Sequence, residues 1–265
     1  MQKWQCRIAS SLGGGFAGTP NEVWGTLPYT NPGEPCVFFG MYGLRDVEAI
    51  ANHYGDKMIL WAGSDILNAV RGYWIDKNGK DKINPGYIAH IFKNFPHYVE
   101  NQREKLVLES MGVYPAVVPS FLGNVNNYQP QQIRTDKKRY YTSVSGDDFE
   151  LYGWNEIPDL AKKNPDTEYH LYGNKGMPYP IGISDALPNV FIHGRVSQEQ
   201  MDAETKTMTG ALRLTRFDGA SEILVKSTLW GQTPLSPYIH YDWLGNRDKL
   251  LSVVNKYPWN AKVNQ

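Results

Sequence analysis

The stretch RFDGASEILVKSTLWG, residues 216–231, decides how the rest of the sequence is read. It passes from a polar loop into an apolar helix, with Asp218 and Gly219 at the corner, and it follows the short apolar run ALRLT (211–215). A strand, a turn at Gly219 and a helix opening near Ser221 leave backbone amides and a positive dipole end beside the carboxyl end of a strand. In open α/β sheets ligands gather there, and a diphosphate suits such a helix end. Asp218 then either holds hydroxyls of whatever is attached to that phosphate or serves as an N-cap. Glu222 and Lys226 are spaced i, i+4 with the acid first, which on an exposed helix face stabilises by about 0.3–0.5 kcal/mol.

Outward from this corner the same alternation recurs. CVFFGMYG (36–43), KMILWAGSD (57–65), AVVPSF (116–121), YHLYGN (169–174) and VFIHG (190–194) are short apolar runs bounded by Gly, Asp or Asn, the pattern of buried strands. Helical patterns lie between them. In ENQREKLVLESMG, Leu106, Leu108 and Met111 supply an apolar side and Gly112 the stop. Strands alternating with helices predict parallel α/β sheets. Residues 123–137, GNVNNYQPQQIRTDK, carry neither periodicity and contain Pro130, so they are read as a linker. Two domains follow, 1–125 and 126–265.

The 265 residues carry 27 basic and 27 acidic side chains, a net charge of zero. No global field therefore draws the molecule to nucleic acid or an anionic membrane, and there is no strong nucleic-acid signal. The run RTDKKR (134–139) is read as a solvated charge run within the linker. Two cysteines are too few for a disulfide framework or a Cys-rich zinc site and fit a reducing compartment, so a cytoplasmic location is expected. No apolar stretch of about 18 residues predicts a transmembrane segment.

Other strand-end loops carry candidate chemistry. Gly14 and Gly15 lie in SSLGGGFAG (10–18), where bare backbone can approach a phosphate or sugar, or simply turn tightly. Asp65, in AGSD (62–65), either accepts backbone hydrogen bonds at a helix start or faces a cleft and orients or deprotonates an acceptor hydroxyl. DKNGKD (76–81) lacks the spacing and terminal glutamate of a calcium loop. The six histidines form no ligand pair at helical spacing and no G-x-S-x-G occurs, which sets zinc and serine hydrolases aside.

The order of segments in the second half resembles the nucleotide-sugar-binding domain of GT-B glycosyltransferases, particularly the "group 1" family. The matching text is FIHGRVSQEQM (191–201), TRFDGAS (215–221) and LWGQTP (229–234), with milder similarity in ILWAGSD (59–65) and YVENQREKLVLESMGVYPAVVPSFL (98–122). The resemblance implies two Rossmann-like α/β domains facing each other across a cleft, the first on the acceptor side. It implies that Asp218 contacts donor-sugar hydroxyls, that the amides of Gly219, Ala220 and Ser221 cradle the diphosphate, and that Arg216 is the basic residue beside them. His193 and Arg195 fall where such enzymes surround the nucleotide base.

Three departures accompany it. Lys226 stands where the family has a glutamate for ribose hydroxyls, and an ammonium cannot accept those bonds. Asp147, Asp148 and Glu150 occupy SVSGDDFELYG (143–153), where the family offers an Arg and a Lys, so Arg216 or Lys226 is expected to compensate. The chain is also shorter than family members, with TPNEVWGTLPYTNPGEP (19–35) in place of a long first helix.

The reaction implied is transfer of a sugar from a nucleoside diphosphate sugar, a co-substrate, to a hydroxyl acceptor, with retention. The acceptor is a glycan, a lipid-linked sugar or a modified DNA base. No D-x-D triplet occurs, consistent with a mechanism without metal or other cofactor. The rival expectation is a degenerate relative that binds a nucleotide sugar or glycan without turnover.

Overall fold

The computed structural model describes residues 3–12, 18–72, 85–144, 148–173 and 187–262. The Gly14–Gly15 loop, DKNGKD and Asp147 fall outside these residues. The chain divides into two compact units, the first formed by Met1–Asn124, Asp218–Ala220 and Val253–Gln265, the second by Val125–Phe217 and Ser221–Ser252. Residues 126–265 are therefore not one unit. Two segments return to the first, at 218–220 and from 253 onward.

The first unit is built on a six-stranded parallel sheet of β1 (Gln5–Ile8), β2 (Leu27–Pro28), β3 (Cys36–Phe39), β4 (Lys57–Leu60), β5 (His97–Val99) and β6 (Ala116–Val117), in the order β2-β1-β3-β4-β5-β6. All four residues of β3 are buried, as expected of a parallel strand covered on both faces. The helices are α1 (Pro20–Trp24), α2 (Leu44–Ala51), α3 (Ser64–Arg71), α4 (Pro85–Phe92) and α5 (Gln102–Glu109). A capping box between Thr19 and Glu22 starts α1, and Gly25, at φ 71°, ends it. On α5 the expected apolar side is corrected. Leu108 is buried together with Glu104 four residues earlier, while Leu106 faces solvent, 59% exposed.

The returning segment completes this unit's core, which explains why it leaves the second half. Tyr257 stacks on Trp259 with centroids 4.4 Å apart, and the fully buried Trp24 meets both rings edge-on. Asn255 sits in the left-handed region at φ 56°, which asparagine tolerates better than most residues. Its Oδ1 accepts from Trp24 Nε1 and the Phe121 amide, and its Nδ2 donates to the Phe121 carbonyl.

The second unit holds a four-stranded parallel sheet of β7 (Lys138–Ser143), β8 (Thr167–Tyr172), β9 (Val190–Ile192) and β10 (Gly210–Ala211), in the order β10-β7-β8-β9. Its helices are α6 (Ile157–Lys163), α7 (Gln198–Thr205), α8 (Glu222–Leu229) and α9 (Arg247–Val253). Phe149, Trp154, Ile157, Leu171, Leu212 and Leu214 form the core. Lys138 and Arg139 open β7 instead of ending a linker. Arg139 pairs with Asp136 at 2.7 Å and Glu168 at 2.8 Å, so the run is neutralised at the amino end of the sheet. Among the described residues no helix is long and apolar enough to cross a membrane.

Candidate functional site

In the first unit the 218–220 corner rests on two strand-to-helix turns. Asn101 caps α5 through Oδ1 on the Glu104 amide, 3.0 Å, and its Nδ2 donates to the Asp218 carbonyl at 2.7 Å. The neighbouring Glu100 is buried. One of its oxygens accepts the hydroxyl and amide of Ser120, the other the amide of Ala220 at 2.8 Å. Glycine is needed here for close approach. A Cβ on Gly219 would lie 1.8 Å from Glu100 Oε2, and one on Gly63, itself at φ 96°, would lie 3.1 Å from the Gly219 nitrogen.

This corrects the expectation of free amides. Gly219 N–H donates to Asp218 Oδ1 at 3.1 Å and Ala220 N–H to Glu100, so both face carboxylates. The turn and the helix start do lie where the sequence puts them. Ser221 is the N-cap of α8, its carbonyl accepting from Leu224 and Val225, although its side chain makes no capping bond.

Asp65 lies in the first turn of α3 with no exposed surface. Its carboxylate accepts from the amides of Met41, Ala62 and Ile66, tying the ends of β3 and β4 together. Burial pushes its pKa up to about 7 against the pull of those bonds. This is the backbone-accepting alternative. An acid with no accessible surface does not present itself to an acceptor hydroxyl.

In the second unit Lys226 makes the expected i, i+4 pair with Glu222, 3.1 Å, but the pair is not exposed. The ammonium is buried and also bonded to both oxygens of Asp202, at 3.0 and 3.2 Å, with the Tyr128 ring 5.4 Å away. Gln198 donates to Glu222 and completes the group. Two carboxylates thus hold the charge proposed to compensate for a diphosphate. Arg216 is 73% exposed on its side chain, 3.6 Å from Glu156 and over the Tyr238 ring.

His193 follows β9 and stacks on Tyr172, the last residue of β8, with centroids 4.4 Å apart. The Tyr172 hydroxyl donates to Glu204 Oε2 at 2.8 Å, and His193 Nδ1 lies 3.5 Å from the same oxygen. His193 Nε2 and His170 Nδ1 are 2.9 Å apart, so one ring donates and the other accepts. Burial and the neighbouring His193 bring the His170 pKa down to about 4, and burial lowers that of His193. Arg195 is exposed beyond the left-handed Gly194.

Sequence reading passed over Arg213. The strand order reverses between β10 and β7, and ligands favour the crevice beyond such a switch. Arg213 is buried there, donating to the Ser143 carbonyl at 3.0 Å and lying over the Tyr152 ring. Its signal was an arginine alternating with leucines in ALRLT. Glu100 and Glu104 were missed as well, because VENQRE reads as an ordinary polar helix start. Among the described residues no His, Cys, Asp or Glu group could hold a metal ion.

No protein-family model and no curated protein matches the chain. Solved structures do. Sucrose-phosphate synthase from Thermosynechococcus elongatus aligns with a TM-score of 0.54 and 10% identity over 75% of this chain and 54% of that one. TarM aligns with a TM-score of 0.50 and 14% identity over 82% of this chain and 47% of that one. A TarM variant from S. aureus, crystallised with fondaparinux, α-GlcNAc-glycerol and UDP, aligns equally well at 15% identity, also over 82% of this chain and 47% of that one. The chain spans about half the length of these structures. At such identities the likeness carries the fold, and that fold is the α/β fold of the GT-B glycosyltransferases, with a Rossmann-like parallel sheet in each unit.

Proposed function

We propose that the chain binds a nucleoside diphosphate sugar on the second unit and transfers the sugar to a hydroxyl acceptor, without a metal ion and with retention. The observation that carries this reading is the carboxyl end of the second sheet. There a buried arginine stands at the topological switch and an imidazole lies flat on a tyrosine. A permanent cation offers a diphosphate charge and hydrogen bonds, and the group around His193 offers a nucleotide base an aromatic face and polar edges. The reading takes further support from the UDP in the TarM variant complex. Uridine diphosphate is therefore the first ligand to try.

A second reading is favoured by one observation. The Gly219 and Ala220 amides and the Lys226 ammonium already face carboxylates of the chain itself. A protein so arranged holds the ligand and turns nothing over. Incubation with UDP-, GDP- and ADP-sugars in the presence of glycan, lipid-linked and hydroxylated-base acceptors separates the two. Release of nucleoside diphosphate is the expected result. Saturable binding without release establishes the second reading, and no binding of any nucleotide sugar removes both.

A further inference from the structure

Behind the 218–220 corner the first unit buries two glutamates, Glu100 at 6% exposure and Glu104 at 1%. Their surroundings differ. Glu100 receives three donors, the Ser120 hydroxyl, the Ser120 amide and the Ala220 amide, which is what an ionised carboxylate requires. Glu104 receives one, the amide of Glu100 at 2.7 Å on Oε2, and its Oε1 is buried with no hydrogen-bond partner. A bare anionic oxygen in that position is costly, whereas a protonated acid is neutral.

We propose that Glu104 carries the one proton of this pair, and that ionised Glu100 is a positioning residue that holds Ala220 and thereby aims Asp218. The groups facing the pair fit this division. Asp65 from α3 and Asp218 from the corner add negative charge, while Tyr42 and Tyr257, which donate to the carbonyls of Ala62 and Val118, stay neutral well above their ordinary range. Burial raises the Glu104 pKa, and Glu100 raises it further. Burial raises Glu100 as well, but there the bonds from Ser120 and Ala220 hold the rise back, and Glu104 has only one such bond. When hydroxide removes the Glu104 proton, two adjoining buried carboxylates stand behind Asp218, and the repulsion loosens the corner. This division of the proton lies within the first unit and is independent of the function proposed above.

The experiment measures hydrogen exchange at the Ala220 amide in the full chain between pH 6 and 9.5, corrected for intrinsic exchange. UDP affinity is measured over the same range. Wild-type protection falls by about tenfold or more as pH rises, the scale of losing one charged hydrogen bond. Glu104→Gln, neutral at every pH, keeps its protection flat, and Glu100→Gln has low protection throughout. An equal alkaline loss in wild type and Glu104→Gln overturns the proposal. Should Glu104→Gln fail to fold, unchanged wild-type protection up to pH 9.5 overturns it just as well. The UDP arm separates the two readings. Exchange behaving as described without UDP binding sinks the donor role alone, whereas UDP binding with identical exchange profiles in wild type and Glu104→Gln sinks this inference alone.

Discussion

At the strand ends of the first unit, Asp65 and Glu100 place their oxygens on main-chain amides, three on one and two on the other. In the second unit the corresponding ends carry side chain on side chain, imidazole on phenol and guanidinium over a ring, and the helices α7 and α8 hold an ammonium between two carboxylates. Acids that cap main chain fix the positions of loops, while a ring such as His193, held by side chains, can exchange those partners for a ligand by changing rotamer.

The comparison breaks most visibly at Asp65. Asp65→Ala leaves three buried amides without acceptors and is expected to cost about 4 kcal/mol, read as a lowered denaturant midpoint. A loss under about 1 kcal/mol would show that water replaces the carboxylate. Next comes Lys226→Ala. It strands two partly buried carboxylates and costs about 3 kcal/mol, whereas the exposed Arg216→Ala stays within about 0.5 kcal/mol. Equal effects would mean that the burial of Lys226 has no energetic weight. Gly219→Ala drives a methyl into Glu100 and should destabilise by about 2 kcal/mol, unless the corner shifts aside.

Arg213→Ala sharpens the comparison from the other side. About a tenfold loss of UDP affinity is expected, or about 1.4 kcal/mol, in a titration at constant salt. An unchanged affinity would move the anion site off the β10–β7 switch.

The smallest effect concerns pH within the first unit. Burial raises Asp65 to about 7, so the folded chain holds a proton that the unfolded chain gives up, and this stability is lost as pH rises from about 4 through 7. Burial lowers His97 to about 4, where its Nδ1 accepts from Trp61 and Nε2 meets the Phe92 carbonyl. Its contribution is present above about 6.5 and is lost as pH falls toward 4. The two slopes oppose each other over pH 4–6.5. Asp65→Asn should unmask a steeper acid loss in a melting series, and a profile unchanged by that substitution would deny Asp65 its raised value.

Much of the frame was legible. Of the ten strands among the described residues, β3, β4, β6 and β9 fall within the apolar runs and β8 and β10 overlap them, and α8 starts at the Ser221 corner. The strand β7 stayed hidden because Lys138 and Arg139 mask the alternation of KRYYTS. Gly219 was recognised for the wrong reason. It serves close approach to Glu100, a residue 119 positions away, and no local pattern records that. Glu104 likewise reads as a solvent-facing acid, since its burial is set by what packs over α5. Local chemistry gives turns and caps, but the partners of a buried charge are a property of the whole fold.

The packing of Tyr257, Trp259 and Asn255 into the first unit makes that unit discontinuous in the gene product. During synthesis the ribosome delivers residues 125–252 before the first core can close, so the later-born unit is free to fold ahead of the earlier-born one. Severing the chain at 124 would leave Trp24 Nε1 without its acceptor and an aromatic cavity open to water. Supplied separately, a peptide spanning 253–262 is the natural complement to such a fragment.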